Sequence, residues 1–271
     1  MRIYHKIYPL FLQNIYDRIP TYINVEFIME LKNIDLRPYK AVFFDLDATL
    51  APYVQKEMSE VFFSAIEEFG EYKGMGSAFG EAFNYAFKKM KKNDGGTLNR
   101  DVFVSAFYEK LPELEIDPEE LMDEFYGEYF KERVRHVVRY RGSEKEMLYH
   151  LRENGKTVIC ATNPVFPLSA TITRMSLSGF MPEDFDFVTH HFDCTYCKPR
   201  AEYFEEILNM FSLKADETIM IGNDTLDDLG APLAGIRTVL ISDYLTNRGD
   251  IDVETVETIS YENLLKSVYE I

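Results

Sequence analysis

The sequence is poor in the residues and segments that mark secreted and membrane proteins. Its 271 residues include three cysteines and no tryptophan. Three thiols are too few for a disulfide framework, so reduced thiols in a cytoplasmic protein are the simpler interpretation. The apolar residues near the N-terminus are interrupted by Pro9, Gln13 and Asp17, which is too many breaks for a signal-peptide core or a membrane span. We therefore expect a cytoplasmic protein with no membrane partner.

Positive charge is also scarce. The chain has 29 Lys and Arg residues against 46 Asp and Glu residues, and its net charge is −17. This balance argues against non-specific binding to nucleic acid or to an anionic membrane, because both need a basic surface. A small anionic substrate stays compatible with the charge if its site is locally positive or holds a metal ion.

Residues 1–38 differ from the rest of the chain. They are rich in Tyr and Ile and show no clear strand. Two interpretations of this extension stay open: translation could start at Met29, or the segment could be an arm that packs on the body. The oligomeric state cannot be read from the sequence.

From residue 40 onward, short apolar strands alternate with helices. Strands are predicted at residues 41–45, 157–162, 185–190, 218–222 and 238–242, and helices at 144–153, 165–177, 201–210 and 226–234. Continuously apolar strands that alternate with helices indicate a parallel sheet covered on both faces. We predict a Rossmann-like, doubly wound α/β fold.

A long helical insertion separates the first two predicted strands. It spans about a hundred residues, far more than a crossover needs. We predict a helical lid at residues 55–141, over an α/β core formed by residues 39–54 and 142–271. Ligands of such sheets bind at the carboxyl ends of the strands, so the insertion should lie over that edge.

Two features of the insertion are candidates for contact with substrate. Phe79, Phe83 and Phe87 recur at the spacing of one helix face, and we assign them to the core of the lid rather than to a substrate platform. The turn-rich segment 91–100 is an alternative candidate for a loop that reads the substrate, although turns of this composition are common.

Carboxylates follow the first strand directly. Asp45 ends the strand, and Asp47 lies two residues later on the same side of an extended chain. Two close carboxylates repel each other unless one is protonated or a cation lies between them. Mg²⁺ prefers oxygen ligands and fits such a site. We therefore predict Mg²⁺ held by Asp45, Asp47 and an oxygen of Asp224 or Asn223.

Further polar groups follow the later strands: Thr162, Asn163, Lys198, Asn223, Asp224 and Asp228. They should meet Asp45 and Asp47 at one edge of the sheet. One carboxylate can attack an electrophile, while the other protonates a leaving oxygen and then activates water. The hydroxyl of Thr162 and the ammonium of Lys198 would hold the oxygens of a transferring phosphoryl group.

Four motifs stand in sequence order at or near successive strand ends: FFDLDATL, ICATN, CKP and IGNDTLDD. They resemble the four motifs of the haloacid dehalogenase (HAD) superfamily, over about residues 40–243, and the insertion resembles its C1-type cap. The resemblance implies a phosphatase of a small phosphorylated metabolite, with Asp45 as nucleophile and Asp47 as general acid and base. The predicted substrate-binding residues are Thr49, Thr162, Asn163 and Lys198.

The sequence departs from the HAD pattern at two places. Position 48 is Ala where Gly is usual, and we expect its methyl group to narrow the loop slightly. The fourth motif reads Asn223-Asp224 rather than Gly-Asp, which leaves the third metal ligand open between these two residues. We favour Asp224 because of its charge, and treat Asp228 as a supporting or alternative ligand.

Alternative functions and sites stay open beside this interpretation. A dehalogenase or phosphomutase of the same superfamily, or a binding or regulatory module without turnover, would keep the fold. Dehalogenation needs no acid for the leaving group, so Asp47 argues against it. The segment with His190, His191, Cys194 and Cys197 offers zinc ligands, but it abuts the third motif, and we do not favour a zinc site.

Overall fold

The computed structural model describes residues 30–271 and contains a seven-stranded parallel sheet in that part of the chain. The strands are β1 (Glu30–Leu31), β2 (Ala41–Phe44), β3 (Thr157–Cys160), β4 (Phe187–Val188), β5 (Thr218–Gly222), β6 (Arg237–Ile241) and β7 (Thr258–Ile259). Their order across the sheet is β1-β7-β6-β5-β2-β3-β4. The chain winds outward from β2 in both directions, which confirms the predicted doubly wound α/β fold.

Helices flank the sheet and fill the long insertion. They are α1 (Gln55–Tyr72), α2 (Ser77–Met90), α3 (Asn99–Lys110), α4 (Pro118–Glu124), α5 (Lys131–Val134), α6 (Glu144–Glu153), α7 (Leu168–Ser178), α8 (Ala201–Met210) and α9 (Tyr261–Tyr269). Helices α1 to α5 all lie between β2 and β3. In the described part of the chain, no helix is both long and apolar enough to span a membrane.

Strand β2 lies at the centre of the fold. All four of its residues are buried, because β3 and β5 pair with it and both faces of the sheet are covered. Ala41 and Phe43 belong to the apolar cluster of α8, while Val42 and Phe44 belong to the larger cluster on the opposite face. This alternation explains why the strand is apolar at every position.

The aromatic stripe of α2 has two environments. Phe79 and Phe83 are buried in the insertion, where Phe79 meets the ring of Phe69 at 5.2 Å between centroids. Phe87, one turn later, is only half-buried and lines the cavity described below. The assignment of the stripe to the core therefore holds for its first two residues and is wrong for the third.

Several element boundaries differ from the predictions for local reasons. The helix predicted from residue 165 begins only at Leu168, because Pro164 and Pro167 interrupt its first turn. The helix predicted at 226–234 is a 3₁₀ segment with Pro232 inside it. Within the insertion, α4 is regular to Glu124 and continues as a widened π turn over Phe125–Phe130.

The start of the described chain corrects one expectation. Residues 1–38 were expected to hold no strand, yet Glu30 and Leu31 pair in parallel with Thr258 and Ile259 at the sheet edge. The two interpretations of the extension concern mainly residues 1–29, which lie outside the described residues.

Candidate active site

The carboxyl ends of the three central strands open into one cavity. The amide of Asp45 donates to the carbonyl of Ile221 at 2.8 Å, and the amide of Ala161 donates to the carbonyl of Phe44 at 2.7 Å. These bonds bring the ends of β2, β3 and β5 level with one another. The cavity has a volume of about 150 Å³ and is lined by residues of three of the four motifs, among them Asp45, Asp47, Thr162, Asn163 and Asp224.

Lys198 lies beneath the cavity and joins two carboxylates. Its ammonium donates to Asp45 Oδ1 at 2.8 Å and to Asp228 Oδ1 at 2.7 Å, with the lysine side chain fully buried. Burial lowers the pKa of Lys198, but the charges of Asp228 and Asp45 outweigh it and raise the pKa overall, so the ammonium stays charged.

Burial dominates the behaviour of Asp45. It raises the pKa of this carboxyl to about 8; Lys198 opposes the rise, whereas the charges of Asp228 and Asp47 add to it. A carboxylate in this position is costly to ionise without further positive charge nearby.

Asp47 is held by an arginine that the sequence motifs do not include. Arg174 Nη1 donates to Asp47 Oδ2 at 2.6 Å from helix α7. Asp47 Oδ1 is buried and has no hydrogen-bond partner within residues 30–271. Arg174 is itself buried, and its Nε donates to the carbonyl of Ala170 at 3.2 Å. Asp47 therefore keeps one oxygen available at the cavity while the other is fixed.

Ala48, where the HAD pattern usually has Gly, has a strained backbone conformation. It has φ 58°, in the left-handed region, and its amide donates to the carbonyl of Ala51 at 2.9 Å. Glycine adopts this region without a steric cost, whereas a residue with Cβ does not. The departure from Gly therefore adds strain to the backbone of the loop.

The predicted substrate-binding residues divide into two groups. Thr162 and Asn163 line the cavity, and Asn163 Nδ2 donates to Asp227 Oδ2 at 3.0 Å. Thr49 is buried behind the cavity lining, and its hydroxyl donates to Asn223 Oδ1 at 3.2 Å. Lys198 contacts the cavity through two residues that line it, Asp45 and Asp228.

Asp228 organises the loop of the fourth motif. Its Oδ2 accepts the amides of Asn223 and Asp224 at 2.8 and 2.9 Å, and its Oδ1 faces Lys198. A Cβ on Gly222 would lie 2.2 Å from this carboxylate, so glycine is required there. With both oxygens used, Asp228 is placed to support the loop.

Asp224 and Asn223 both have partners other than the Asp45–Asp47 pair. Asp224 Oδ1 accepts the amides of Leu226 and Asp227, and its Oδ2 accepts from Arg248. Burial raises the pKa of Asp224, and Arg248 opposes that shift. Within residues 30–271, no three acidic, His or Cys side chains converge on one point as a preformed metal site.

The donor set nevertheless suits a hard cation. The unpartnered Asp47 Oδ1 and the raised pKa of Asp45 both describe buried carboxylates that lack compensating positive charge. A divalent cation supplies that charge, and the oxygens at the cavity are the ligand type that Mg²⁺ prefers.

Asp227 joins the insertion to the core at the cavity wall. Lys91, just after α2, approaches it at 3.4 Å, and Arg248 donates to it at 2.8 Å. Burial raises the pKa of Asp227, but Lys91 and Arg248 outweigh that effect, so the pKa lies below its usual value. Asp227 lies within the quoted fourth motif but was given no role, and sequence reasoning missed Arg248 and Arg174. The segment 91–100, named as a candidate substrate loop, contributes Lys91.

The candidate zinc ligands make separate contacts. His191 Nε2 lies 3.0 Å from Glu119, and His190 Nε2 lies 3.0 Å from Asp193. Cys194 and Cys197 are buried free thiols, and burial raises the pKa of Cys197 to about 12. These partners favour structural roles for all four side chains.

Comparison with known proteins identifies related sequences. A family model described as haloacid dehalogenase-like hydrolase matches residues 39–235. A ribulose-1,5-bisphosphate 5-phosphatase of Halopiger xanaduensis is 26% identical, over 74% of this chain and 83% of its own. A glyceraldehyde 3-phosphate phosphatase of Pyrococcus furiosus is 27% identical, over 83% of this chain and 89% of its own.

A solved structure shares the fold at lower sequence identity. CbbY from Rhodobacter sphaeroides in complex with phosphate aligns with a TM-score of 0.51 and 14% identity, over 83% of this chain and 99% of its own. At this identity the likeness concerns the fold alone.

Proposed function

Because this chain belongs to the haloacid dehalogenase-like hydrolase family, we propose that it is a phosphatase of a small phosphorylated metabolite and works through an aspartyl-phosphate. The observation that carries the proposal is the pair of carboxylates at the end of the central strand: Asp45 bonded to Lys198, and Asp47 with one oxygen free at the same cavity. The activities for which the two relatives are named, both phosphatases, support it.

Each residue has a role that follows from its contacts. Asp45 attacks phosphorus, and the ester oxygen leaves as Asp47 gives it a proton; Asp47 then takes a proton from the water that hydrolyses the aspartyl-phosphate. Lys198 fixes Asp45 and offsets negative charge as the phosphoryl group approaches. Thr162 and Asn163 line the cavity where phosphoryl oxygens would bind.

Mg²⁺ is the proposed cofactor. Asp45, Asp47 and one of Asn223 and Asp224 would hold it, and when bound it neutralises charge between the nucleophile and the phosphate. Asp228 supports that loop through its bonds to two backbone amides. We also keep the proposals of a helical cap at residues 55–141, a core at 39–54 and 142–271, and a cytoplasmic location.

An assay with a generic aryl phosphate tests this function. We expect Mg²⁺-dependent hydrolysis that chelation abolishes, and a loss of at least about 10³-fold in Asp45→Asn, because the nucleophile is removed while the shape of the side chain is kept. Asp193→Asn, a change in an exposed acid outside the cavity, is the matched control. If the wild type and Asp45→Asn hydrolyse a broad panel of phosphate esters equally, the proposal fails.

A further inference from the structure

The wall of the cavity opposite the carboxylates is largely apolar, with Gln55 and Ser59 as polar residues among its side chains. Above Asp45 and Asp47, the lining passes to side chains of the insertion and of the segment that follows β3. Six of them are Met58, Phe62, Phe87, Tyr126, Phe130 and Phe166. A leaving group that extends away from the phosphoryl site must therefore lie against these side chains.

The rings form a continuous surface rather than isolated contacts. Phe166 lies 5.8 Å from Tyr126 and 5.9 Å from Phe87, and Phe62 lies 6.4 Å from Phe166, all between centroids. Phe62, Phe87 and Phe166 are only partly buried, so ring surface remains open to the cavity. Pockets lined in this way gain affinity from apolar ligands, and their few polar groups fix orientation.

The cations around the cavity are already paired. Among the described residues that line it, Lys91 pairs with Asp227 and Arg174 with Asp47, while Arg248 contacts both Asp224 and Asp227. A second phosphate or carboxylate on the substrate would have to displace one of these buried pairs, and breaking such a pair leaves an uncompensated charge. The wall therefore disfavours a doubly anionic substrate.

The volume favours a small leaving group. A cavity of about 150 Å³ matches the engineered apolar cavity that accepts benzene. Part of this space must also serve the phosphoryl group.

We propose that the substrate is a phosphate monoester of a small, uncharged alcohol with an apolar body no larger than one ring. The proposal rests on the phosphatase function above and deepens it. The proposed substrate differs from those for which two relatives are named, a bisphosphate and the phosphate of a polar triose. Burial of the apolar body against the ring surface supplies binding energy that a polyhydroxylated leaving group lacks.

Three phosphate esters test the substrate class: benzyl phosphate, glycerol 3-phosphate and ribulose 1,5-bisphosphate. Benzyl alcohol and glycerol are similar in acidity, so the comparison reports recognition rather than leaving-group chemistry. We expect kcat/KM for benzyl phosphate to exceed the other two by at least about tenfold, since burial of even half a ring is worth more than 1.4 kcal/mol. A higher kcat/KM for glycerol 3-phosphate or the bisphosphate overturns the proposal.

A variant of the aromatic wall links any preference to the structure. Phe87→Asn removes a half-buried ring from the cavity, and Tyr85→Asn removes a ring of the same helix that lies outside it, where its hydroxyl contacts Glu109. We expect Phe87→Asn to lower the ratio of kcat/KM for benzyl phosphate to that for glycerol 3-phosphate about fivefold, as the loss of one ring contact predicts. Tyr85→Asn should leave the ratio unchanged. Equal ratios in the wild type and Phe87→Asn contradict the assignment.

The two levels of the proposal fail separately. Turnover that depends on Asp45 but favours the charged or polar esters overturns the substrate class and leaves the phosphatase function intact. Turnover of none of the three esters overturns the substrate class, and turnover that Asp45→Asn retains overturns both.

Discussion

Directly after Asp47, the second carboxylate of the first motif, Ala48 has a backbone conformation that suits glycine. Its φ of 58° places Cβ close to backbone atoms, at a cost of about 1–2 kcal/mol for an L-residue. The surrounding loop holds it there, because Ala51 donates to the carbonyl of Leu46 at 2.8 Å and accepts from Ala48. Strain is thus located one residue from Asp47.

Ala48→Gly should stabilise the protein by up to about 1 kcal/mol. The relief of the left-handed strain exceeds the entropy that glycine adds to the unfolded chain. Urea denaturation measures the change. Ala51→Gly, at a buried neighbour without a positive φ, is the control and should be destabilising. A less stable Ala48→Gly would show that the methyl group contributes packing that outweighs the strain.

Arg174 fixes the orientation of Asp47 from outside the four motifs. Besides Asp47, it contacts Ala170 and Thr171 on its own helix, and its guanidinium lies 5.0 Å from the ring of Phe166. It does not need to touch the leaving group to act on it, since it positions the carboxylate that does.

Arg174→Met should therefore slow the hydrolysis of esters with poor leaving groups more than that of esters with good leaving groups. General acid catalysis is worth about 10²–10⁴-fold, and a dinitrophenyl leaving group hardly needs it. We expect kcat for an alkyl phosphate to fall at least about 30-fold and kcat for dinitrophenyl phosphate to fall less than about threefold. Steady-state kinetics on both esters measure this contrast, with Arg174→Lys as a partial rescue. Equal losses on both would instead indicate a purely structural role.

At the scale of elements, the segment between α2 and α3 attaches the insertion to the core. Asn99 is fully buried: its amide donates to the carbonyl of Cys194 at 2.9 Å, and its Nδ2 donates to the carbonyl of Tyr196 at 3.2 Å. Its Oδ1 accepts from Asn93, which orders the turn itself. One side chain thus joins the turn to the loop before Lys198.

Asn99→Ala should loosen this attachment. It removes the side-chain donor to the carbonyl of Tyr196 and one of the two acceptors of Asn93 Nδ2, and unmade hydrogen bonds of buried groups cost about 1–3 kcal/mol. We expect faster proteolysis within residues 91–99 while the sheet stays resistant. Asn154→Ala, at the exposed end of α6, is the control and should change neither the proteolysis of residues 91–99 nor that of the sheet. Uniform proteolysis of the whole chain in Asn99→Ala would mean that the turn does not open on its own.

The elements show how far sequence reasoning reaches. Residues 144–153, 201–210 and 218–222 have their predicted bounds, because a clear apolar period coincides with local stop signals. The strand β7 and helix α9 were missed, since two residues are too few for a strand pattern. The meeting of the motifs at one edge was predictable from strand order, whereas Arg174 and Arg248 reach the cavity only through tertiary packing.

At the scale of the whole molecule, the net charge is −17. Five aspartates of the first and fourth motifs line the cavity: Asp45, Asp47, Asp224, Asp227 and Asp228. Self-repulsion of this kind opposes folding and weakens as salt screens it.

Mg²⁺ should stabilise the fold by more than the screening of its charges explains. At equal ionic strength, we expect MgCl₂ to raise Tm more than NaCl does, because a ligand bound only by the folded state adds RT ln(1 + [L]/Kd) of stability. Thermal melting monitored by circular dichroism measures both shifts. The excess due to Mg²⁺ should shrink in Asp45→Asn, while the NaCl shift stays. Identical shifts from the two salts in the wild type would argue against a specific site.

The position of Asp45 has a further consequence for the time scale on which the site can change. The backbone amide of Asp45 donates a hydrogen bond to the carbonyl of Ile221 at the centre of the sheet, where β3 and β5 pair with the two sides of β2. A proton in such a place exchanges with solvent only when the whole domain unfolds. The exchange rate of that one amide therefore reports the global unfolding equilibrium. The backbone of the proposed nucleophile stays in place for as long as the domain is folded.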